Sequence, residues 1–285
     1  MSRIAYVNGR YLPHGYASVH IEDRGYQFAD GVYEVIAVHQ GSLVDEDLHL
    51  ARLERSLGEL SIDPPMTDGA LRVVIGQVLR RNHIKNGMIY LQVTRGSAPR
   101  DHAFPTNPGT ALVVTARTRR GAPAALMRDG CAVITVPDIR WKRCDIKSIS
   151  LLPNVLAKQE ARSKGAHEAI QVGDDGLITE GSASNIWIVT KDGELITRAA
   201  DGAILDGVTR RTVMALAKKA SLKCVERSFT VAEAQSAAEV FLTATSFNIL
   251  PVNAIDDVAI KGVPGPFTLK LLATYDEYLG AGEPA

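Results

Sequence analysis

Lys147 lies in the run Asp145-Ile146-Lys147-Ser148-Ile149-Ser150-Leu151-Leu152-Pro153-Asn154, where a strand gives way to a helix and the neighbours are mainly apolar. An amine flanked by Ile146, Ile149, Leu151 and Leu152 is expected to be partly desolvated, which would free it as nucleophile and base. The alternative, which this stretch taken alone favours, is a stem laid over apolar surface with its head in water. Three distant features answer to related chemistry. Glu180, in Thr179-Glu180-Gly181-Ser182-Ala183-Ser184-Asn185, is a carboxylate at a strand end followed by small residues that let a flat group approach. Arg52 lies near the start of a helix, off its leucine stripe. Gly207 precedes Val208 and Thr209 at the opening of another helix, where unpaired amides and the dipole favour an anion. Read singly, Glu180 is a turn residue, Arg52 a surface charge and Gly207 a helix-start glycine.

Other chemistries lack their devices. No GxGxxG or GxxxxGK[ST] is present to cradle a nucleotide phosphate, and no GxSxG offers a nucleophilic serine. HExxH is absent, His167-Glu168 has no second histidine one turn on, and no cysteines bracket a histidine at finger spacing, so no metal is expected. Lys+Arg and Asp+Glu each total 32, so the formal charge is zero and neither nucleic acid nor membrane is an expected partner. Cys131, Cys144 and Cys224 form no CxxC pair and are odd in number, which fits a reducing compartment. No apolar signal core follows Met1-Ser2 and no run reaches membrane-spanning length, so a cytoplasmic location is expected. The features that remain share one logic: pyridoxal phosphate needs a lysine for its aldehyde, a carboxylate for its ring nitrogen, and an arginine and free amides for its phosphate.

Those residues must be positioned by elements that the sequence also signals. Ile4 to Leu12 reads as strand, Asn8-Gly9 turn, strand; Val32 to Val38 alternates as a strand. Leu50, Leu53, Leu57 and Leu60 recur at helical spacing to about Ser61, and a second helix capped by Thr67 or Asp68 runs to Asn86-Gly87. Strands at 88–94 and 110–116 bracket a loop holding Arg95, Arg100 and His102. The charged stretch 117–125, with Arg117-Thr118-Arg119-Arg120, is a connector between an N-terminal domain (1–116) and a C-terminal domain (126–285). Beyond it come a strand at 131–136, a helix at 154–164, short strands at 168–172, 177–179, 185–189 and 194–197, a helix at 208–220, a strand at 240–244 with a Thr245-Ser246 loop, and a helix at 266–279. This order predicts an α+β or α/β protein whose larger domain is barrel-like.

Asp30-Gly31-Val32-Tyr33-Glu34-Val35, His49-Leu50-Ala51-Arg52-Leu53, Lys147-Ser148, Ala157-Lys158-Gln159-Glu160-Ala161, Thr179 to Asn185 and Ile204-Leu205-Asp206-Gly207-Val208-Thr209-Arg210 resemble, in order, the signature of the class IV, fold type IV pyridoxal-phosphate aminotransferases. The resemblance covers nearly the whole chain. It implies two α/β domains with the cofactor between them, in a homodimer, acting on amino and oxo acids. Carried over, Lys147 is the Schiff-base lysine, Glu180 the partner of the ring nitrogen, Arg52, Val208, Thr209 and Thr245 the phosphate ligands, and Leu205 packs on the ring. Thr94-Arg95-Gly96-Ser97-Ala98-Pro99-Arg100-Asp101-His102 resembles the D-amino acid aminotransferase loop that, with a tyrosine matching Tyr33, binds the substrate carboxylate. Two residues depart from that pattern. Asp101 replaces an alanine and sets an anion beside the trap or orients Arg100; Ala183 replaces a serine and removes a hydroxyl. The implied reaction is ping-pong transamination between a D-amino acid such as D-alanine and a 2-oxo acid such as 2-oxoglutarate. A branched-chain L-aminotransferase and an aminodeoxychorismate lyase-type enzyme are the alternatives.

Overall fold

The computed structural model describes residues 3–106, 109–118 and 121–281. They group into two compact units, one drawn from Met1–Arg120 and Ile146–Ser150, the other from Gly121–Asp145 and Leu151–Ala285.

In the first unit the elements run β1 (Ile4–Val7), β2 (Arg10–Pro13), α1 (Arg24–Phe28), β3 (Gly31–His39), β4 (Ser42–Leu43), α2 (Glu46–Glu59), α3 (Asp68–Asn82), β5 (Gly87–Thr94) and β6 (Ala111–Thr118). The strands form an antiparallel sheet in the order β2-β1-β6-β5-β3-β4. Asn8 and Gly9 turn the first hairpin with φ of 44° and 88°, the left-handed values that this dipeptide tolerates. Leu50, Leu53 and Leu57 of α2 and Leu71, Val74, Ile75 and Val78 of α3 pack on Val32, Ile36, Ile89 and Leu91, each such burial stabilising the fold by roughly 1.5–3 kcal/mol. The second helix stops at Asn82, short of the expected Asn86-Gly87. His83 takes φ 53° there, and its N–H meets the carbonyls of Leu79 and Arg80, a left-handed cap.

In the second unit the elements are α4 (Ala124–Asp129), β7 (Cys131–Pro137), α5 (Leu152–Ser163), β8 (Glu168–Val172), β9 (Ile178–Gly181), β10 (Asn185–Val189), β11 (Leu195–Thr197), α6 (Val208–Lys219), β12 (Cys224–Glu226), α7 (Val231–Ser236), β13 (Glu239–Ala244), β14 (Asn248–Ile255), β15 (Val258–Ala259) and α8 (Pro266–Ala281). The mixed sheet, ordered β12-β11-β10-β13-β14-β7-β8-β9, curls into a half-barrel. Its middle strands are buried on both faces, so they read as continuous apolar runs. Ile186, Ile188 and Leu242 face a core closed by Phe229, whereas Trp187 and Phe241 pack with Val213 of α6 and Leu271 of α8. Among the described residues no helix is long and apolar enough to cross a membrane.

The connector and the domain bounds come out differently from the expectation. Arg117 and Thr118 belong to β6, Ala124 and Ala125 begin α4, and Arg119 and Arg120, like Met1 and Ser2, lie outside the described residues. Residues 146–150, expected within 126–285, group instead with the first unit. The cause is backbone pairing: Tyr33 N–H donates to Lys147 O (3.0 Å), Ile149 N–H to Gly31 O (3.0 Å), and Val32 and Ser148 form an antiparallel bridge.

Candidate active site

The pairing with β3 gives Lys147 its place. Ile146 is buried in the core of the first unit, and the Lys147 N–H reaches Ser56 Oγ of α2 at 3.4 Å. The Lys147 amine lies 4.3 Å from the centre of the Tyr33 ring and has no hydrogen bond or ion pair among the described residues. Lys147 is half-buried, and Leu152, expected to help cover it, is 69% exposed on α5. Successive side chains of β3 alternate, so Val32, Glu34 and Ile36 are buried while Tyr33 and Val35 lie on the half-exposed face. There Tyr33 stacks on Tyr90, whose phenol donates to Gln92 Oε1 at 2.6 Å. Burial, and then the nearby Tyr33, push the Tyr90 hydroxyl to about 12.

On the buried face of the same strand, Glu34 is fully enclosed and binds the Arg52 guanidinium along one edge, Nε to Oε1 at 2.7 Å and Nη2 to Oε2 at 2.9 Å. His49 Nδ1 adds a contact to Oε2 at 2.7 Å. Burial would raise the Glu34 pKa, but the charge and hydrogen bonds of Arg52, with those of His49, hold it down to about 2. Burial lowers the pKa of His49 itself. Arg52, named from sequence as a phosphate ligand, therefore has its orientation set by an internal partner.

The Arg100–His102 loop is anchored by two buried arginines, Arg24 and Arg95. Arg24 pairs with Asp30 at 2.7 Å and donates through Nη1 to the carbonyls of Asp101 (2.6 Å) and Ala103 (3.3 Å) and through Nη2 to that of His102 (3.4 Å). Arg95 grips both Asp30 oxygens and the carbonyls of Leu60 and Ser61. Although burial opposes it, the hydrogen bonds and charges of Arg95 and Arg24 keep the Asp30 carboxyl below its ordinary value. Asp101, the departure from pattern, uses Oδ1 to accept the Ala103 N–H at 3.1 Å, so it closes its own turn. Arg100 and His102 are exposed and share the ring of Phe28, Arg100 at 4.6 Å and His102 at 5.3 Å. No hydrogen bond or ring contact among the described residues joins either to Tyr33 or Lys147.

The second unit holds Glu180 in a cage. Glu180 is the penultimate residue of β9, with 6% exposure, and its carboxylate accepts from Arg140 Nη1, from Asn185 Nδ2 (3.1 Å) and from the Leu205 N–H (3.2 and 3.1 Å). Arg140 also forks onto Asp138, Nε to Oδ1 at 2.9 Å and Nη2 to Oδ2 at 2.7 Å, and reaches Ala203 O. Burial works against the guanidinium, but Asp138 and Glu180 raise its pKa above the ordinary arginine value. Asn185 Nδ2 joins Glu180 to the Leu205 carbonyl (3.0 Å), fixing the backbone that carries Leu205. Gly207 follows because there is no room for more: a Cβ would fall 2.1 Å from Asn185 Oδ1. The helix α6 then opens at Val208 and Thr209, both buried, with no side chain capping its first turn. Thr245 lies in the turn between β13 and β14, half-buried.

Sequence reasoning missed Glu34, Arg140 and Asn185. Glu34 sits next to Tyr33 and Asn185 at the end of the Glu180 motif, whereas Arg140 neighbours no residue named from sequence. For Glu34 and Asn185 that adjacency was the available signal.

Residues 31–255 match the family described as amino-transferase class IV. The D-alanine aminotransferase of Bacillus licheniformis is 42% identical over 263 residues, 92% of each chain. Among solved structures, an Escherichia coli branched-chain amino acid aminotransferase superposes with a TM-score of 0.91 at 22% identity, covering 98% of this chain and 95% of that one. The branched-chain aminotransferase of the thermophilic archaeon Thermoproteus uzoniensis, solved with norvaline, gives a TM-score of 0.88 at 27% identity over 99% and 97% of the two chains. The fold is that of these fold type IV enzymes. With most of its length matched to the family, and a relative this similar over nearly all of both chains, the chain belongs to the class IV aminotransferases.

Proposed function

We propose that the chain is a D-amino acid aminotransferase using pyridoxal 5'-phosphate, and that it moves the amino group of a donor such as D-alanine to a 2-oxo acid such as 2-oxoglutarate. The observation that carries this reading is the Lys147 amine, which has no hydrogen bond or ion pair among the described residues and is left for covalent attachment. The other residues fit the same group. Glu180 offers a caged carboxylate to a ring nitrogen, and α6 presents an uncapped first turn at Val208 and Thr209 to a phosphate. Arg52 and Thr245 complete the phosphate ligands, and Leu205 packs on the ring.

When bound, pyridoxal phosphate supplies the electron sink that lets a proton leave the substrate α-carbon. Lys147 Nζ takes that proton and returns it as general base and then acid. Glu180 provides the negative charge opposite a protonated ring nitrogen. Tyr33, Arg100 and His102 bind the substrate carboxylate, and the side from which they do so selects the hand of the donor. The likeness to D-alanine aminotransferase, at 42% identity, favours the D-series over the branched-chain reading, whose quoted structures share 22% and 27%. A homodimer is part of the proposal: Tyr16, Ile21, Tyr26 and Phe104 of the first unit are 63–79% exposed, apolar surface that a second copy would cover. The three free cysteines suit a cytoplasmic location.

The test is substrate profiling of the protein reconstituted with pyridoxal phosphate, with 2-oxoglutarate as acceptor. D-alanine should yield pyruvate at least about tenfold faster than L-leucine yields its oxo acid, the equivalent of about 1.4 kcal/mol in the barrier. L-leucine as the better donor would move the assignment to the branched-chain class.

A further inference from the structure

We propose that Glu168 is a positioning residue for the Glu180 carboxylate, acting through the turn that joins β9 to β10. This rests on the assignment of Glu180 to the ring nitrogen of pyridoxal phosphate. Glu168 opens β8, is 1% exposed, and among the described residues has no hydrogen bond or ion pair to those assigned to cofactor or substrate. Its Oε1 accepts the Ser182 hydroxyl and the Ala169 N–H (2.9 Å), and its Oε2 accepts the Ser184 hydroxyl (3.3 Å). Lys158 of α5 supplies the countercharge at 3.4 Å. One carboxylate thus holds both serines on either side of Ala183.

The turn is also tied through Gly181, Ser182 and Ser184. Gly181 N–H donates to Ser184 O (2.7 Å), Ser182 N–H to Ala169 O (2.9 Å), and Asn154 Nδ2 to Ser182 O (2.9 Å). A Cβ on Gly181 would lie 2.2 Å from Ser184 Oγ, so the hydroxyl occupies the space that a side chain would need. The two residues flanking the turn are Glu180 and Asn185, and they are bonded to each other. A rotation of the turn therefore moves the carboxylate and the amide that orients it together, whereas Arg140 and the Leu205 N–H hold Glu180 from outside the turn. A buried carboxylate that accepts from two hydroxyls, a backbone N–H and an ammonium is costly to leave partly satisfied, which gives the arrangement one geometry.

The measurement is the 15N resonance of bound pyridoxal phosphate labelled at the ring nitrogen, which reports protonation at that atom, together with kcat and KM for D-alanine. Glu180→Gln should move the resonance toward that of an unprotonated ring. Glu168→Ala and the double variant Ser182→Ala/Ser184→Ala should move it in the same direction, with kcat down about tenfold and KM nearly unchanged. Glu168→Gln should restore the native signal, because its amide oxygen still accepts from Ser182 and Ala169 while its NH2 donates to Ser184 Oγ. The serine pair loses only two hydroxyls, so it carries the test if Glu168→Ala does not fold. A native resonance in both Glu168→Ala and the serine pair, with Glu180→Gln shifted, overturns the proposal alone. So does a Glu168→Gln protein as impaired as Glu168→Ala. If Glu180→Gln itself leaves the resonance unmoved, the assignment of Glu180 falls and the proposal falls with it.

Discussion

Acidification should release the Glu34 cluster and with it a measurable part of the stability. Glu34 is fully enclosed and held at about 2 against an ordinary value of 4.5, chiefly by Arg52, whose side chain is itself only 9% exposed. A folded-state pKa below the unfolded value contributes stability that is complete above about 4.5 and is lost as pH falls through about 2. The gap corresponds to about 3 kcal/mol, at roughly 1.4 kcal/mol for each pH decade, and more than half of it is gone by about pH 3. Glu34→Gln removes the titrating group and leaves the Arg52 guanidinium without its carboxylate, which in a buried pair costs about 3–5 kcal/mol at neutral pH. Urea unfolding of the two proteins between pH 6 and pH 2.5 provides the assay, because titrations common to both cancel in the difference. The difference should shrink by about 2–3 kcal/mol over that range. A difference that stays constant would refute the reasoning, since Glu34 would then not be the group being protonated.

The remaining predictions concern the site itself. Arg100→Ala should raise KM for D-alanine by about ten- to a hundredfold, the loss of a charge-assisted contact to the substrate carboxylate, with the resting cofactor absorbance unchanged; an unchanged KM would remove Arg100 from the trap. Glu180→Gln should retain bound cofactor yet turn over far more slowly, because an amide cannot hold a proton on the ring nitrogen by charge; near-native kcat would break that pairing. Arg140→Met should lower the unfolding free energy by about 3–5 kcal/mol, since it removes the countercharge of the buried Glu180 and the half-buried Asp138; a loss under about 1 kcal/mol would show that Asp138 and Glu180 are satisfied without it.

The residues assigned to chemistry could be picked out because their types are restrictive and their motifs run in order along the chain. Elements with a strong period were legible too: the leucines of α2, the alternation of β3 and the Asn8-Gly9 hairpin each follow from local physics. The supporting residues were not, because their meaning is set by partners far away in sequence. Arg140 stands beside exposed Ile139 and Trp141 and reads as a charged loop residue until Glu180, forty positions on, is beside it. Glu34 alternates with apolar neighbours as a solvent-facing residue would, yet it points inward to Arg52 and His49. The return of 146–150 to the first unit depends on hydrogen bonds to β3 that no local pattern encodes. The short helix α7 did carry a signal: Thr230 caps the N–H of Glu233 at 3.2 Å, the spacing of a capping box.

The central claim is that Lys147 is the point of covalent attachment, and borohydride reduction followed by peptide mass mapping tests it most directly. After reconstitution with pyridoxal phosphate and reduction, the phosphopyridoxyl group should be found on the peptide containing Lys147, and Lys147→Ala should carry no label. Lys158 is already engaged with the His167 carbonyl and Glu168, and Lys142 lies exposed outside the β3 pairing. A label on either of these, or persistence of the label in Lys147→Ala, would contradict the account.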